Sequence, residues 1–315
     1  MEDLFKPLSE VLPSDFETDA IKRTILSYAD TLEKLLSIGT HLYDWEKKDY
    51  YETTLLHDEC TYVLISFRRI LELLDSISIQ LKAGSIDPAF AQLRALFELC
   101  VQFEYLIDTD TQQKGYCILL CDTYRNLERL EKIKLVDKNE SDLEYIQHLR
   151  SVIELPELSD LKVKYDAIRY NKRLGEIKWY GLYDEKLVNF ARLIKKPDGI
   201  TDEPPYGHYS EMYSIVNKEI GNDIIHSTNL LQGKLTVKDG VVVLPSLRRY
   251  EGARSLACAS FYIIKQSFEK ISLRRDKAKR SLYIKAIMRC EKDNIDVAFG
   301  WTEYMSSLRK FHDEL

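Results

Sequence analysis

Two carboxylates and an imidazole lie three and four residues apart in the second half of the chain, at Glu219, Asp223 and His226. On a helix they share one edge, next to the apolar face, because successive residues are turned by about 100°. A carboxylate beside an imidazole orients the ring and raises its affinity for a proton, which suits general acid–base catalysis. The same spacing is also typical of a solvated helix edge with a hydrogen-bonded histidine, and both interpretations stay open.

A second candidate site lies on an earlier predicted helix, where Arg94 and Glu98 interrupt a run of apolar residues. Burying one charge alone costs several kcal/mol, so we expect the two side chains to form an i, i+4 ion pair inside the apolar stripe. The pair is either a structural element that fixes the helix register or part of a polar functional site. In the second case Arg68, Arg69 and Glu72, on the preceding helix, can extend it.

The third feature is a basic segment, Arg274–Arg289, with seven basic residues and one acidic residue, whereas the whole chain carries a formal net charge of −6. Such a segment attracts phosphates and releases counterions when it binds them. The candidate nucleic-acid-binding residues are Arg274, Arg275, Lys277, Lys279 and Arg280. Alternatively, the segment is a solvated helix face that pairs with acidic helices.

The elements that must position these residues are predicted to be helices. Only 12 Gly and 8 Pro interrupt 315 residues, and the apolar residues recur at intervals of three and four. The predicted helices run from Ser14 or Asp15 to about Leu42, over Tyr51–Lys82 and Asp87–Ile107, on to about Ile133, within 140–172, over Asp184–Lys195, from about Tyr206, and over Tyr250–Ile264. The last of these is apolar on nearly every face and is therefore predicted to be buried all round.

One segment departs from the helical pattern. Within Leu235–Leu244, two β-type runs flank Lys238-Asp239-Gly240, a sequence that suits a tight hairpin turn. The predicted fold class is therefore mainly all-α, a multi-helix bundle with one small β-hairpin insertion. We expect one helical domain over residues 1–315, with N-terminal helices in 1–84, the core in 85–271 and basic helices in 272–315.

The charge of the amino terminus, the length of the apolar runs and the cysteines indicate where the protein is located and which cofactors it can hold. The acidic amino terminus is unlike a signal peptide, and no apolar run approaches the roughly 18 residues that span a bilayer. The six cysteines are sparse, and Cys117 and Cys121 suit core packing better than metal binding, because no second ligand pair accompanies them. We therefore expect a cytoplasmic protein with no membrane contact, no metal and no cofactor, and we expect a homo-oligomer.

The motifs also resemble a known group of proteins. The Arg-x3-Glu element at Arg94 and Glu98, and the later His226-Ser227 pair, resemble a bacterial all-helical family with a domain of unknown function over about 71–246. The chain is also distantly similar to HEPN-type domains, whose ribonucleases carry an Arg and a His a few residues apart on one helix. Here Lys218 is the basic residue nearest to His226, so Arg94 must replace the missing arginine from another helix.

This resemblance implies a metal-independent ribonuclease or phosphoryl-transfer effector in a toxin or phage-defence role. Arg94 stabilises the phosphorane charge, His226 acts as general acid or base, and Asp223 or Glu98 orients them. RNA is the expected partner, bound through residues 274–289. The alternative is a non-catalytic helical binding or scaffold protein, in which these residues form a structural network and a tyrosine-rich loop contacts a protein or small ligand.

Overall fold

The computed structural model describes residues 19–53, 59–132, 140–170, 177–194, 206–214, 216, 236–238, 241–243 and 252–300, and the fold is all-α with many helices. The helices are α1 (Asp19–Thr53), α2 (Glu59–Lys82), α3 (Ile86–Asp108), α4 (Thr111–Lys132), α5 (Glu140–Ile153), α6 (Ser159–Tyr170), α7 (Trp179–Tyr183), α8 (Ala191–Ile194), α9 (Ser210–Tyr213), α10 (Ala253–Ser272), α11 (Lys277–Asp293) and α12 (Ile295–Ala298). Short 3₁₀ helices cover Pro156–Leu158 and Gly207–Tyr209.

Most of the predicted helices form where the periodicity places them, but several boundaries differ. Helix α1 continues past Leu42 to Thr53, α2 begins at Glu59 rather than Tyr51, and α10 continues past Ile264 to Ser272. The described part of the predicted helix Asp184–Lys195 is helical only at Ala191–Ile194. The reason for this last difference is local. The Asp184 carboxylate accepts a hydrogen bond from the Lys186 backbone N–H at 3.0 Å, a short-range turn that competes with helix formation.

The first of two compact units contains α1, the part of α2 from Leu64, the part of α3 up to Glu104, and α10–α12. Helix α1 packs against α10 and α11. A Cβ at Gly39 would lie 2.5 Å from Leu71 Cδ2 and would also overlap the Phe268 ring. Glycine at this position therefore lets α1 approach its neighbours closely.

The core of the first unit is made of aliphatic and aromatic side chains. The Phe67 ring lies 5.6 Å from both Phe103 and Phe268, measured between ring centroids. Helix α10 is buried on nearly every face, which confirms the interpretation of its apolar sequence. The buried Glu104 accepts a hydrogen bond of 2.9 Å from Ser267 Oγ, so α3 and α10 are also linked by a polar contact.

The second compact unit contains the start of α2, the end of α3 from Tyr105, and α4–α8. Helix α4 packs against α5, α6 and α7. Its buried residues Cys117, Leu120, Cys121 and Tyr124 share one core cluster with residues of α6 and α7. The Tyr124 and Tyr165 rings stack with centroids 4.2 Å apart and planes 4° apart. The prediction of a single domain over residues 1–315 stays a prediction.

Two three-residue strands lie within the predicted hairpin region. Strand β1 (Thr236–Lys238) pairs antiparallel with β2 (Val241–Val243), with Thr236 opposite Val243 and Lys238 opposite Val241. The turn residues between the strands lie outside the described residues. Among the helices that are described, none is long and apolar enough to cross a membrane.

Candidate functional site

Arg94 and Glu98 form the expected i, i+4 ion pair on α3, with Arg94 Nε donating to Glu98 Oε1 at 3.2 Å. The expectation that both charges are buried is wrong, because the two side chains are 39% and 35% exposed. The buried face of α3 is centred on Leu93 and Cys100, and Arg94 lies about 100° round the helix from Leu93. The pair therefore lies at the edge of the core, where solvent reaches it.

The three charged residues on α2 that were considered as an extension of this site form a set of their own. Arg68 Nε lies 3.0 Å from Glu72 Oε1, and Arg69 Nη1 lies 3.1 Å from Glu72 Oε2. Hydrogen bonds from Arg68 and then Arg69 lower the pKa of the Glu72 carboxyl. All three side chains are exposed, and Arg68 also hydrogen-bonds Tyr43 of α1, so they form a surface network that reaches α1.

The proton-transfer candidates Asp223 and His226, together with Glu219, lie outside the described residues. Their placement on a shared helix edge and their proximity to Arg94 therefore stay predictions.

Arg275 is the buried member of the basic segment. Its guanidinium forms an ion pair with Glu46 of α1, and the two side chains are only 7% and 6% exposed. The nearby Trp45 ring packs edge-to-face on Tyr283 of α11, with centroids 4.9 Å apart. The Arg275 side chain thus joins α1 to the start of α11 and does not face solvent.

The other four predicted nucleic-acid-binding residues, Arg274, Lys277, Lys279 and Arg280, lie at the start of α11 or just before it. Asp276 is the N-cap of this helix, and its carboxylate accepts hydrogen bonds from the backbone N–H groups of Ala278 and Lys279. Lys279 Nζ lies 3.7 Å from Asp276 Oδ2 and 5.2 Å from the centroid of the Trp45 ring. Lys277 is exposed, while Arg274 and Arg280 are half-buried.

The outward face of α11 carries three exposed lysines, Lys277, Lys285 and Lys292. None of the three has an ion-pair partner among the residues that the structure describes. Leu282 and Met288 are exposed beside them, at 57% and 59%. Lys292 lies just beyond the basic segment as the sequence defined it, and its helical spacing from Lys285 was the signal that could have included it.

The matched family covers the middle of the chain. A family of unknown function, DUF5677, matches residues 61–228, more than half of the sequence. The chain belongs to this family. The family region includes Arg94, Glu98, Asp223 and His226, whereas the basic helix α11 lies beyond it. No curated protein and no solved structure matches the chain.

Inside the family region, sequence analysis overlooked a buried lysine. Lys114 on α4 is 1% exposed, and its Nζ donates to the backbone carbonyl of Tyr105 at 2.7 Å. The same Nζ lies 4.2 Å from the centroid of the Tyr105 ring and 5.2 Å from that of Tyr183, within cation–π range. Lys114 precedes Cys117 by three residues and Cys121 by seven, so its place on an apolar helix face was readable from the sequence.

Aromatic residues continue around this lysine. The Tyr105 ring lies 5.7 Å from Trp179 and 6.2 Å from Tyr206, measured between ring centroids. The Tyr183 hydroxyl donates to Asp110 Oδ2 at 3.2 Å, and Asp110 has a positive φ of 50° immediately before α4. We call Lys114, the two rings that it contacts (Tyr105 and Tyr183) and the two rings that pack on Tyr105 (Trp179 and Tyr206) the lysine box. It anchors the end of α3 to the start of α4 and to α7.

Several rings of the tyrosine-rich segment are core residues. Tyr180, Tyr206 and Tyr209 are 2%, 1% and 0% exposed, so these rings are not available as a contact surface.

Cys117 and Cys121 are also buried, and burial raises the pKa of the Cys117 thiol to about 12. In the described part of the chain, no group of three or more His, Cys, Asp or Glu side chains is arranged to hold a metal ion.

Proposed function

We propose that this DUF5677 chain is a metal-independent ribonuclease, or a related HEPN-like phosphoryl-transfer effector, with a toxin or phage-defence role. One observation carries the proposal. The Arg94 guanidinium is fixed by Glu98 at 3.2 Å and is still 39% exposed. An oriented cation that solvent and ligand can reach suits the stabilisation of charge developing on a phosphate.

In the proposed reaction, the 2′-oxygen of a ribose attacks the adjacent phosphorus while the bond to the 5′-oxygen breaks. The products are a 2′,3′-cyclic phosphate and a 5′-hydroxyl end, so no water is consumed. His226 either removes the proton of the 2′-hydroxyl or donates a proton to the leaving 5′-oxygen, and water exchanges the other proton. Arg94 stabilises the negative charge on the non-bridging oxygens, and Glu98 or Asp223 orients the two catalytic groups.

The outward face of α11 is the proposed contact for the RNA backbone. Lys277, Lys285 and Lys292 lie along about 22 Å of helix, at a rise of about 1.5 Å per residue. Arg280 and Arg274 flank the start of this line, whereas Arg275 is held by Glu46. Since Leu282 and Met288 are interspersed among the lysines and do not form a separate apolar side, the face suits a phosphate backbone better than the apolar layer of a membrane.

A second candidate function is a non-catalytic helical binding module. The same α11 face supports it, because a line of exposed lysines binds a polyanion without any chemistry. In that case Arg94 and Glu98 only stabilise α3 locally, and His226 is a structural residue.

Cleavage of a mixed RNA pool by the purified chain in excess EDTA tests the ribonuclease. We expect fragments with 2′,3′-cyclic phosphate ends, abolished by His226→Ala and reduced at least about 100-fold by Arg94→Ala. His148→Ala and Arg125→Ala are matched controls, since these residues are exposed on α5 and α4. A folded His226→Ala variant with wild-type activity would exclude the catalytic assignment.

RNA binding, measured separately, distinguishes the two candidates. A fluorescent RNA oligomer titrated at several salt concentrations gives the number of phosphate contacts from the slope of log K against log salt. Replacing Lys277, Lys285 and Lys292 with Gln should reduce that slope by about two to three. Tight, salt-dependent binding without cleavage would favour the binding module. An unchanged slope would exclude the α11 face as the contact.

A further inference from the structure

A face of α2 outside the proposed catalytic residues is exposed and has a regular pattern. Ile65, Glu72 and Ile79 follow one another at intervals of seven residues, and all three are exposed. The two isoleucines are 61% and 58% exposed. A seven-residue repeat keeps these side chains on nearly one line along the helix, which is the pattern of a helix that packs against a second helix.

The charges beside this line are arranged with opposite signs on either side of Glu72. Arg68 and Arg69 precede Glu72 and contact it, at 3.0 and 3.1 Å. Asp75 follows it, is exposed, and has no ion-pair partner within the described residues. The nearest basic residue further along the helix, Lys82, is already paired with Glu33 of α1. The amino-terminal half of the face thus carries two arginines, and the carboxy-terminal half carries the Asp75 carboxylate, which attracts Lys82 without forming an ion pair with it.

This order of residues is complementary to itself when a copy of the helix is turned end for end. With a twofold axis through Glu72, Ile65 lies opposite Ile79 of the copy, since both are seven residues from the axis. Arg68 lies opposite Asp75 of the copy, because the two residues are on the same side of this line, and the reverse contact occurs on the other side of the axis. The two Glu72 carboxylates that meet at the axis are each neutralised by two arginines of their own helix. Such reciprocal contacts are the mark of an isologous interface.

We propose that this face of α2, from Ile65 to Ile79, is the surface through which two copies of the chain form an antiparallel dimer. A second copy is the occupant because the reversed face places Asp75 opposite Arg68 twice and Ile65 opposite Ile79 twice, while each Glu72 is already paired with arginines of its own helix. A polyanion would contact Arg68 and Arg69 but would be repelled by Asp75 and Glu72. An acidic partner protein would meet the same repulsion.

The size of the face sets the strength of the association. Fourteen residues of helix span about 21 Å, so the two faces together bury less than the 1,200–2,000 Å² of a typical stable interface. The dimer is therefore weak and forms in a concentration-dependent way. The inference does not rest on the proposed ribonuclease activity, because none of its residues belongs to the proposed catalytic set.

Sedimentation velocity of the full chain, from about 1 to a few hundred micromolar, tests the dimer. We expect the wild type to shift from monomer to dimer over this range. The double variant Arg68→Glu/Arg69→Glu places an acidic residue opposite Asp75 and removes the basic charge of this half, and Asp75→Lys places a lysine opposite Arg68. Each variant alone should dissociate at least about tenfold more readily than the wild type.

Mixing the two variants is the decisive step. In a mixed dimer one of the two charge contacts has the wild-type signs, and the other has both signs reversed, so both contacts are attractive. An equimolar mixture should therefore regain association close to that of the wild type. Lys285→Glu/Lys292→Glu is the matched control, since it changes the net charge as much as the double arginine variant does, on a different helix. It should leave the dimer unchanged.

Three results would overturn the proposal: a wild type that stays monomeric, variants that dimerise as well as the wild type, or a mixture that regains nothing. Circular dichroism melts confirm that each variant is folded. Should the charge variants fail to fold, Ile65→Ser/Ile79→Ser keeps the test open, because both side chains are exposed and their replacement removes only the apolar contacts. This variant must then be monomeric over the same concentration range.

Discussion

Arg94 and Lys114 are two cations among the apolar residues of successive helices, and only Lys114 is buried. Arg94 on α3 keeps 39% of its side chain exposed and pairs with a carboxylate four residues on. Lys114 on α4 is 1% exposed and is held by a backbone carbonyl and two aromatic rings. A helical face shows where a cation lies on the helix, but the neighbouring elements decide whether the cation is covered.

Arg275 is a third cation, and like Lys114 it is covered by neighbouring elements. Its partner Glu46 lies on α1, far away in the sequence, whereas Glu98 is one helical turn from Arg94. Ion pairs within one exposed helix are worth well under 1 kcal/mol, while breaking a buried pair leaves a charge without solvent. Stability should therefore depend strongly on the two covered cations and only weakly on Arg94.

The largest effect is expected for Arg275→Ala. This change leaves the Glu46 carboxylate buried beside an empty site, so the free energy of unfolding should fall by about 3–5 kcal/mol. Urea denaturation followed by circular dichroism measures it. Arg289→Ala is the matched control, because Arg289 pairs with Asp293 on the same helix but is 84% exposed. A loss as small as that of the control would show that Arg275 is solvated.

The next effect is expected for Lys114→Ala. It removes the donor to the Tyr105 carbonyl and leaves a cavity between rings, so we expect a loss of about 3 kcal/mol in the free energy of unfolding. Lys114→Met keeps most of the volume without the charge and separates the two contributions. If both variants unfold at the wild-type urea concentration, the lysine box does not stabilise the fold.

An intermediate effect is expected from high pH, through the phenol of Tyr105. Burial raises the pKa of Tyr105 above its usual value of 10. Above pH 10 the unfolded chain releases this proton while the folded chain keeps it, so stability is complete below pH 10 and falls as pH rises further. Tyr105→Phe keeps the ring beside Lys114 and should make the fall in urea midpoint above pH 10 smaller. An identical fall in both proteins would contradict the assignment to Tyr105.

The smallest effect is expected for Arg94→Ala. Because the pair is partly exposed and local, its loss should lower the free energy of unfolding by less than about 1 kcal/mol. The measurement is the same urea titration, with Glu98→Ala as the partner variant. A loss of several kcal/mol would mean that Arg94 is covered in solution and that the contrast with Lys114 is wrong.

Local signals in the sequence were sufficient for much of the helical framework. The Asp87-Pro88 pair placed the start of α3 within a residue, and the spacing of Arg94 and Glu98 correctly predicted their ion pair. Asp184 was harder to interpret, because its side chain bonds the backbone two residues on and favours a turn where helical periodicity alone predicts a helix.

The candidate site was predictable only in part. The ion pair between Arg94 and Glu98 followed from their spacing. Their exposure did not, because the apolar face of α3 is wide and the sequence analysis placed both residues at its centre rather than at its edge. The basic segment was found by charge alone, which gave no indication that Arg275 is covered by α1 or that Lys292 continues the exposed line on α11.

By itself, the sequence determined the helical class and most of the helix positions, because these depend on residues three and four positions apart. Only the tertiary structure decided which cations are buried. Arg275 meets Glu46, and Lys114 meets Tyr105 and Tyr183, through contacts between separate helices and loops. Desolvation depends on what packs over a residue, and that neighbour is set by the fold rather than by the local periodicity.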